Sequence, residues 1–291
     1  MNNLDTMEPA ERLEYYERTT SQALMEVRRY RKKGPIRAAL FDFDGTVSLV
    51  REGWRDIMVP YFCEVLGAWD DDAEGVYREV CDWVDFLTGK QTIYQCIRLS
   101  EEVAKRGGRA LEPLAYKREY HRRLLEKING RLEGLREGKI SPDTHVVPGG
   151  RAFLEMLRGA GISCYLASGT DACYVREEAD LLDLTQYFDG GIYGARDDYK
   201  TFSKAMVIAQ LVEQNGLGGE ELVGFGDGYV EIQNVREVGG YAVGVATEET
   251  KRQGVNLWKR ARLLEAGADM IVPDFTNAEC LFDVLRHVSR G

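Results

Sequence analysis

IRAALFDFDGTVS, residues 36–48, carries the strongest structural signal in the chain. Residues 36–43 form a short, mostly apolar run that ends in acidic residues and follows Gly34-Pro35. Such a run reads as a buried parallel strand, covered on both faces. Asp42 and Asp44 then fall at its C-terminal end, where open α/β sheets bind their ligands. Gly45 lets the chain turn away from that end and leaves room beside it.

Downstream of this strand the pattern changes. From residue 52 to about 140 the chain is aromatic and charged, with apolar positions recurring at three and four, as in WRDIMVPYFCEVLG and EGVYREVCDWVDFL. No strand is expected there. After Pro148-Gly149 strands and helices alternate: a helix over 150–159, ISCYLA (162–167), a helix from 171, GGIYGA, a helix from Ser203, ELVGF (221–225), YAVGVA (241–246), a helix over 250–265, DMIVP and a closing helix over 277–288. Alternation of this kind predicts an α/β fold, a Rossmann-like parallel sheet with helices on both faces. The expected organisation is a core of residues 35–50 and 146–291, an all-helical insert over 51–145, and an N-terminal extension over 1–34. The extension reads as one helix over 8–32. Thr6 caps it, Pro9 suits its first turn, and the cations Arg28, Arg29, Arg31, Lys32 and Lys33 suit its C-terminal end.

Composition narrows the function classes. The 291 residues are 44% hydrophobic, 30% charged and 10% aromatic, which excludes wholesale disorder. A net charge of −10 argues against nucleic acid or an anionic membrane as the main partner. An anionic substrate stays open, because a bound cation inverts the local field. The six cysteines form no CxxC pair, and with only three histidines zinc-site spacing is absent. These features read as reduced thiols in a cytoplasmic protein. There is no apolar run of about 18 residues and no secretory h-region. Oligomeric state is not legible.

Three expected strand ends carry polar clusters: DFDGT (42–46), SGT (168–170) and GDGYVE (226–231). Each alone also suits a turn or a helix cap. Together, in order and each after an apolar strand, they make one constellation. Asp42 suits a nucleophile toward phosphorus, and Asp42 with Asp227 suits a hard divalent cation such as magnesium. Asp44 suits the acid and base role on the leaving alcohol and the attacking water. Ser168 and the amides of Gly169 and Thr170 suit phosphate oxygens. A lysine should neutralise the transferring group. Lys200 and Lys204 both qualify, and Lys204, at a helix start, is preferred. Glu231 suits a water-mediated metal contact or the positioning of Lys204. His121, beside Arg122 and Arg123, is expected at the surface. The insert aromatics Trp54, Tyr61, Phe62, Trp83 and Phe86 are expected in its core.

ALFDFDGTVS resembles the first motif of the haloacid dehalogenase superfamily, a family dominated by phosphatases. YLASGT resembles its second motif, SKAMVIAQLVEQNGL the third and VGFGDGYVEI the fourth. The helical insert resembles the first-position cap of that family. The resemblance implies a magnesium-dependent phosphatase acting on a small phosphorylated metabolite through an aspartyl phosphate. It also implies that Asp44 offers the metal its backbone carbonyl. A phosphomutase on the same core is the nearest rival. Dehalogenation and phosphonate cleavage are less favoured because Asp44 supplies an acid and base, and the second also because no obvious insert lysine is placed for a Schiff base. Arg51, Glu52 and Trp54 are candidates to reach the leaving group. A non-catalytic binding protein is the remaining alternative.

Overall fold

The computed structural model describes residues 25–29, 35–196 and 198–289. Its strands are β1 (Glu26–Val27), β2 (Ala38–Phe41), β3 (Ser163–Asp171), β4 (Gly191–Ala195), β5 (Leu222–Gly226), β6 (Tyr241–Val245) and β7 (Met270–Val272). They form one seven-stranded sheet in the order β1-β7-β6-β5-β2-β3-β4. Every pairing is parallel except that of β1 with β7. From β2 the chain builds outward through β3 and β4, then restarts at β5 on the other side of β2. The three strands whose ends carry the acidic and hydroxyl clusters are therefore neighbours.

Strand alternation decides what each face buries. Ala39 and Phe41 point into one cluster, Ala38 and Leu40 into the other. On the first face Phe41 stacks on Phe225, with ring centroids 4.5 Å apart, and Phe153 and Phe275 pack around them. That face is covered by α5 (Gly150–Gly159), α6 (Ala172–Leu181) and α10 (Ala278–Ser289). The opposite face is covered by α7 (Lys204–Gln214), α8 (Tyr229–Glu237) and α9 (Leu257–Glu265). The last of these begins later than the expected residue 250, because Asn256 accepts from the Lys259 N–H and caps the helix there.

Between β2 and α5 run four helices, α1 (Arg55–Gly67), α2 (Ala73–Leu87), α3 (Thr92–Lys105) and α4 (Pro113–Arg136), with no strand among them. Asp72 caps α2 by accepting from Gly75 N–H, and Pro113 opens α4 where no N–H is needed. Tyr61, Phe62 and Trp83 are buried within this bundle, as expected of insert aromatics. Phe86 differs: it is exposed and lies beside Tyr229 of the core. The two chain crossings pair with each other, Leu49 N–H to His145 O and Val147 N–H to Val47 O.

The N-terminal reading needs a correction. Glu26 and Val27, expected in a helix, form the antiparallel edge strand β1 on β7, and Met25 is buried. Pairing with a free sheet edge outweighs local helix propensity here. The remaining residues of the expected helix, 8–24 and 30–32, lie outside the described residues. Among the described residues no helix is long and apolar enough to cross a membrane.

Candidate active site

Asp42 follows β2 directly, and its N–H donates to Phe225 O, so the ladder holds its backbone. Its carboxylate is buried. Oδ1 accepts from Phe43 N–H and from Lys204 Nζ, both at 2.8 Å. Oδ2 accepts from no described residue. Lys204 opens α7, which Ser203 caps by accepting from Met206 N–H. Its ammonium also contacts Glu231, from the first turn of α8. Burial works against the Lys204 charge, but Asp42 and Glu231 outweigh it and raise the ammonium above its ordinary range. Burial raises Asp42 well above the usual carboxylate range; Lys204 opposes this, and Glu231 and Asp227 add to it.

The strand end of β3 faces Asp44. Thr170 Oγ1 donates to Asp44 Oδ2 at 2.8 Å and Ser168 Oγ lies 3.4 Å from it. Ser168 Oγ accepts the Thr170 N–H at 3.0 Å. The other oxygen, Asp44 Oδ1, is buried with no hydrogen-bond partner. Asp227 follows β5, and Gly45, at φ +73°, brings the first loop against it. A Cβ at Gly45 would overlap Asp227 Oδ2.

The insert closes over these strand ends. A Cβ at Gly169 would stand 2.9 Å from Lys90 O, so only glycine lets the insert turn after α2 come this close. Gln91 Nε2 donates to Phe202 O at 2.7 Å and Tyr199 O at 3.1 Å, tying that turn to the loop before α7. The cleft between insert and core is about 90 Å³. Asp42, Asp44, Ser168, Gly169, Thr170, Lys204 and Asp227 line it from the core. Glu231 does not line it and meets it only through Lys204.

Of the leaving-group candidates, Trp54 and Arg51 line the cavity, whereas Glu52 does not and pairs with Arg131. The Arg51 guanidinium is committed to Glu178 at 2.6 Å, both buried, with Asp44 Oδ1 at 3.9 Å. Lys200 stands in a single 3-10 turn, Tyr199–Thr201. His121 is corrected from surface to buried: α4 turns it inward beside Asp171 and Tyr174. Lys90 is an insert lysine in the cleft wall, and its Nζ lies 5.7 Å over the Phe86 ring.

Sequence reading missed Gln95 and Tyr120, which line the cavity from α3 and α4. It also missed Lys259 and Glu249. Lys259 Nζ lies 2.7 Å from Asp227 Oδ2 and 2.6 Å from Glu249 Oε1. No local motif marks any of them; each lies on an otherwise ordinary helix or turn. Among the described residues no three His, Cys, Asp or Glu side chains converge as a metal cage. A divalent cation here would rest on few carboxylates, a backbone carbonyl and water. The donors at hand, Asp42 and Asp227, are hard oxygens and suit magnesium.

The model of the haloacid dehalogenase-like hydrolase family matches residues 36–239, more than half of the chain. The chain belongs to this family. As a haloacid dehalogenase-like hydrolase it shares its fold with several solved structures. A β-phosphoglucomutase from Clostridium difficile is 16% identical, with TM-score 0.57 over 86% of this chain and 97% of the other. A phosphonoacetaldehyde hydrolase-like protein from Oleispira antarctica is 16% identical, with TM-score 0.59 over 90% and 97%. A predicted phosphoglycolate phosphatase from Haemophilus somnus is 16% identical, with TM-score 0.54 over 85% and 98%. At identities this low, the likeness shows a shared fold alone. No curated protein matches the chain.

Proposed function

We propose that this haloacid dehalogenase-like hydrolase is a magnesium-dependent phosphatase of a small phosphorylated metabolite, with residues 51–145 serving as its cap. The observation that carries this is the pair Asp42 and Asp44 on one cleft between core and insert, the first anchored by Lys204 and the second by Thr170. Magnesium, held by Asp42, Asp227 and the Asp44 carbonyl, would supply the charge neutralisation that lets a carboxylate approach a phosphate dianion.

Asp42 Oδ2 attacks phosphorus while Oδ1 stays held by Lys204 and Phe43 N–H. The P–O bond to the substrate alcohol breaks, its electron pair leaves with the oxygen, and protonated Asp44 gives that oxygen a proton. Asp44, now a carboxylate, takes a proton from water as the water oxygen attacks phosphorus; the P–Oδ2 bond breaks and its electron pair returns to the Asp42 carboxylate. Inorganic phosphate leaves and both side chains return to their starting states. Lys204 faces the charge that spreads over the transferring group, and Ser168 with the Gly169 amide binds its oxygens; the Thr170 N–H, expected there too, is instead given to Ser168 Oγ. The closed insert excludes bulk water during these steps. Six free cysteines support a reducing, cytoplasmic setting.

The test is a screen of phosphorylated metabolites with magnesium, on the wild type and Asp42→Asn. We expect inorganic phosphate from the wild type only, and an acid-stable, alkali-labile phosphoenzyme on the Asp42 peptide. An isomeric phosphate ester as the sole product would favour a mutase. Wild-type turnover by Asp42→Asn would overturn the reading.

A further inference from the structure

Lys259 has no part in the steps above, yet it stands among the site's carboxylates. It is the third residue of α9, and the cap formed by Asn256 accepts its own N–H, so its backbone is held. Its ammonium bridges Asp227 Oδ2 and Glu249 Oε1 and would lie 3.0 Å from a Cβ at Gly45. Lys259 is only 8% exposed, and Glu249 lies on the loop after β6. A bridge between two partners on different loops can be given up on one side and kept on the other.

Electrostatics favour such a transfer. Without Lys259, Asp227 and Glu249 would face Asp42 and Asp44 with no cation of their own. A divalent cation arriving at Asp227 meets an ammonium already bound to that carboxylate, and two cations cannot share it without repulsion. Glu249 gives the ammonium a place to stay.

We infer that Lys259 is a positioning residue, an internal counter-ion of Asp227 that withdraws onto Glu249 when a divalent cation binds and so sets that cation's affinity. This rests on Asp227 being a metal ligand, as proposed above. Two substitutions should act in opposite directions. Lys259→Met removes the competing cation and should tighten magnesium binding roughly tenfold or more, in line with the effect of one nearby charge on an ionisation. Glu249→Gln leaves the ammonium with Asp227 alone and should weaken binding. A merely structural bridge would instead make both variants bind more weakly.

The experiment is calorimetric titration of magnesium into the metal-stripped full chain, as wild type, Lys259→Met, Glu249→Gln and Asp227→Asn. Circular dichroism checks folding, and melting curves in chelator and in magnesium accompany each titration. We expect stripped Lys259→Met to melt below the stripped wild type and to gain more from magnesium. Should Lys259→Met fail to fold when stripped, Lys259→Gln, which can still hydrogen-bond both carboxylates but carries no charge, takes its place: tighter binding than the wild type supports the inference and equal or weaker binding overturns it. If the wild type binds magnesium and folded Lys259→Met binds it equally or more weakly, the inference falls while the metal reading stands. If neither the wild type nor any variant binds, both fall. If Asp227→Asn binds as the wild type does, Asp227 is not a ligand and both fall.

Discussion

Lys204 places an ammonium in the first turn of α7, against the positive end of a helix dipole. That cost is offset by two buried carboxylates, Asp42 from β2 and Glu231 from α8. Lys204→Ala should therefore lower kcat on the order of 10²–10³, as for loss of a preorganised charge donor. A loss of only a few-fold, in folded protein at saturating magnesium, would point to another lysine. Gly45 makes a second prediction. Its φ of +73° already disfavours a side chain, and a Cβ there would press on Asp227. Gly45→Ala should cost about 1–2 kcal/mol in stability and at least tenfold in activity, read by denaturant melts and turnover. The first-loop glycine was legible in DFDGT, but its contact with Asp227 was not.

At the scale of elements, α4 carries the least expected behaviour. It turns His121 against the end of β3, with Nδ1 3.7 Å from Asp171 Oδ2. That carboxylate is already paired with Lys117. Burial, with Arg51 and Lys117 nearby, pushes the His121 imidazole down to about 3. The unfolded chain therefore takes up this proton near pH 6.5 and the folded one only near pH 3. Stability from this residue is complete above pH 6.5 and is lost as pH falls toward 3, at most about 1.4 kcal/mol per pH unit. The wild-type melting temperature should fall more steeply between pH 7 and 4 than that of His121→Gln. Parallel curves would show that His121 titrates freely. The helical period of α4 is visible in its sequence; which face meets β3 is not, because the polar residues His121 and Lys117 occupy it.

Across the whole molecule, several contacts hold the insert against the core, among them Lys117 and His121 on Asp171 and Phe86 on Tyr229. The clearest is Gln91, whose amide donates to two backbone carbonyls beside α7. Gln91→Ala should raise KM by roughly 3–10-fold, the worth of one or two hydrogen bonds. It should also speed proteolysis of the turn after α2. Unchanged KM and unchanged cleavage would show that other contacts hold the insert shut. Closure also explains why buried charge is tolerated at the sheet edge: each carboxylate there faces a lysine, an arginine or a hydroxyl from another element.

Local pattern alone determined the alternation of strands and helices, the helical insert and the residues that end β2, β3 and β5. These follow from apolar period and turn chemistry, which act over a few residues. Asp42, Asp44 and Asp227 were legible because they stand just past short apolar strands, and Ser168 because a polar SGT follows the apolar run of β3, although β3 itself runs on to Asp171. Only the tertiary structure decided that these three strands are neighbours, that Lys204 reaches Asp42, and that Lys259, Glu249, Gln95 and Tyr120 stand around them. The edge strand at Glu26–Val27 was hidden for the same reason, since its partner β7 lies more than two hundred residues away. Contacts between distant segments depend on how whole elements pack, and nothing in the spacing of neighbouring residues encodes them.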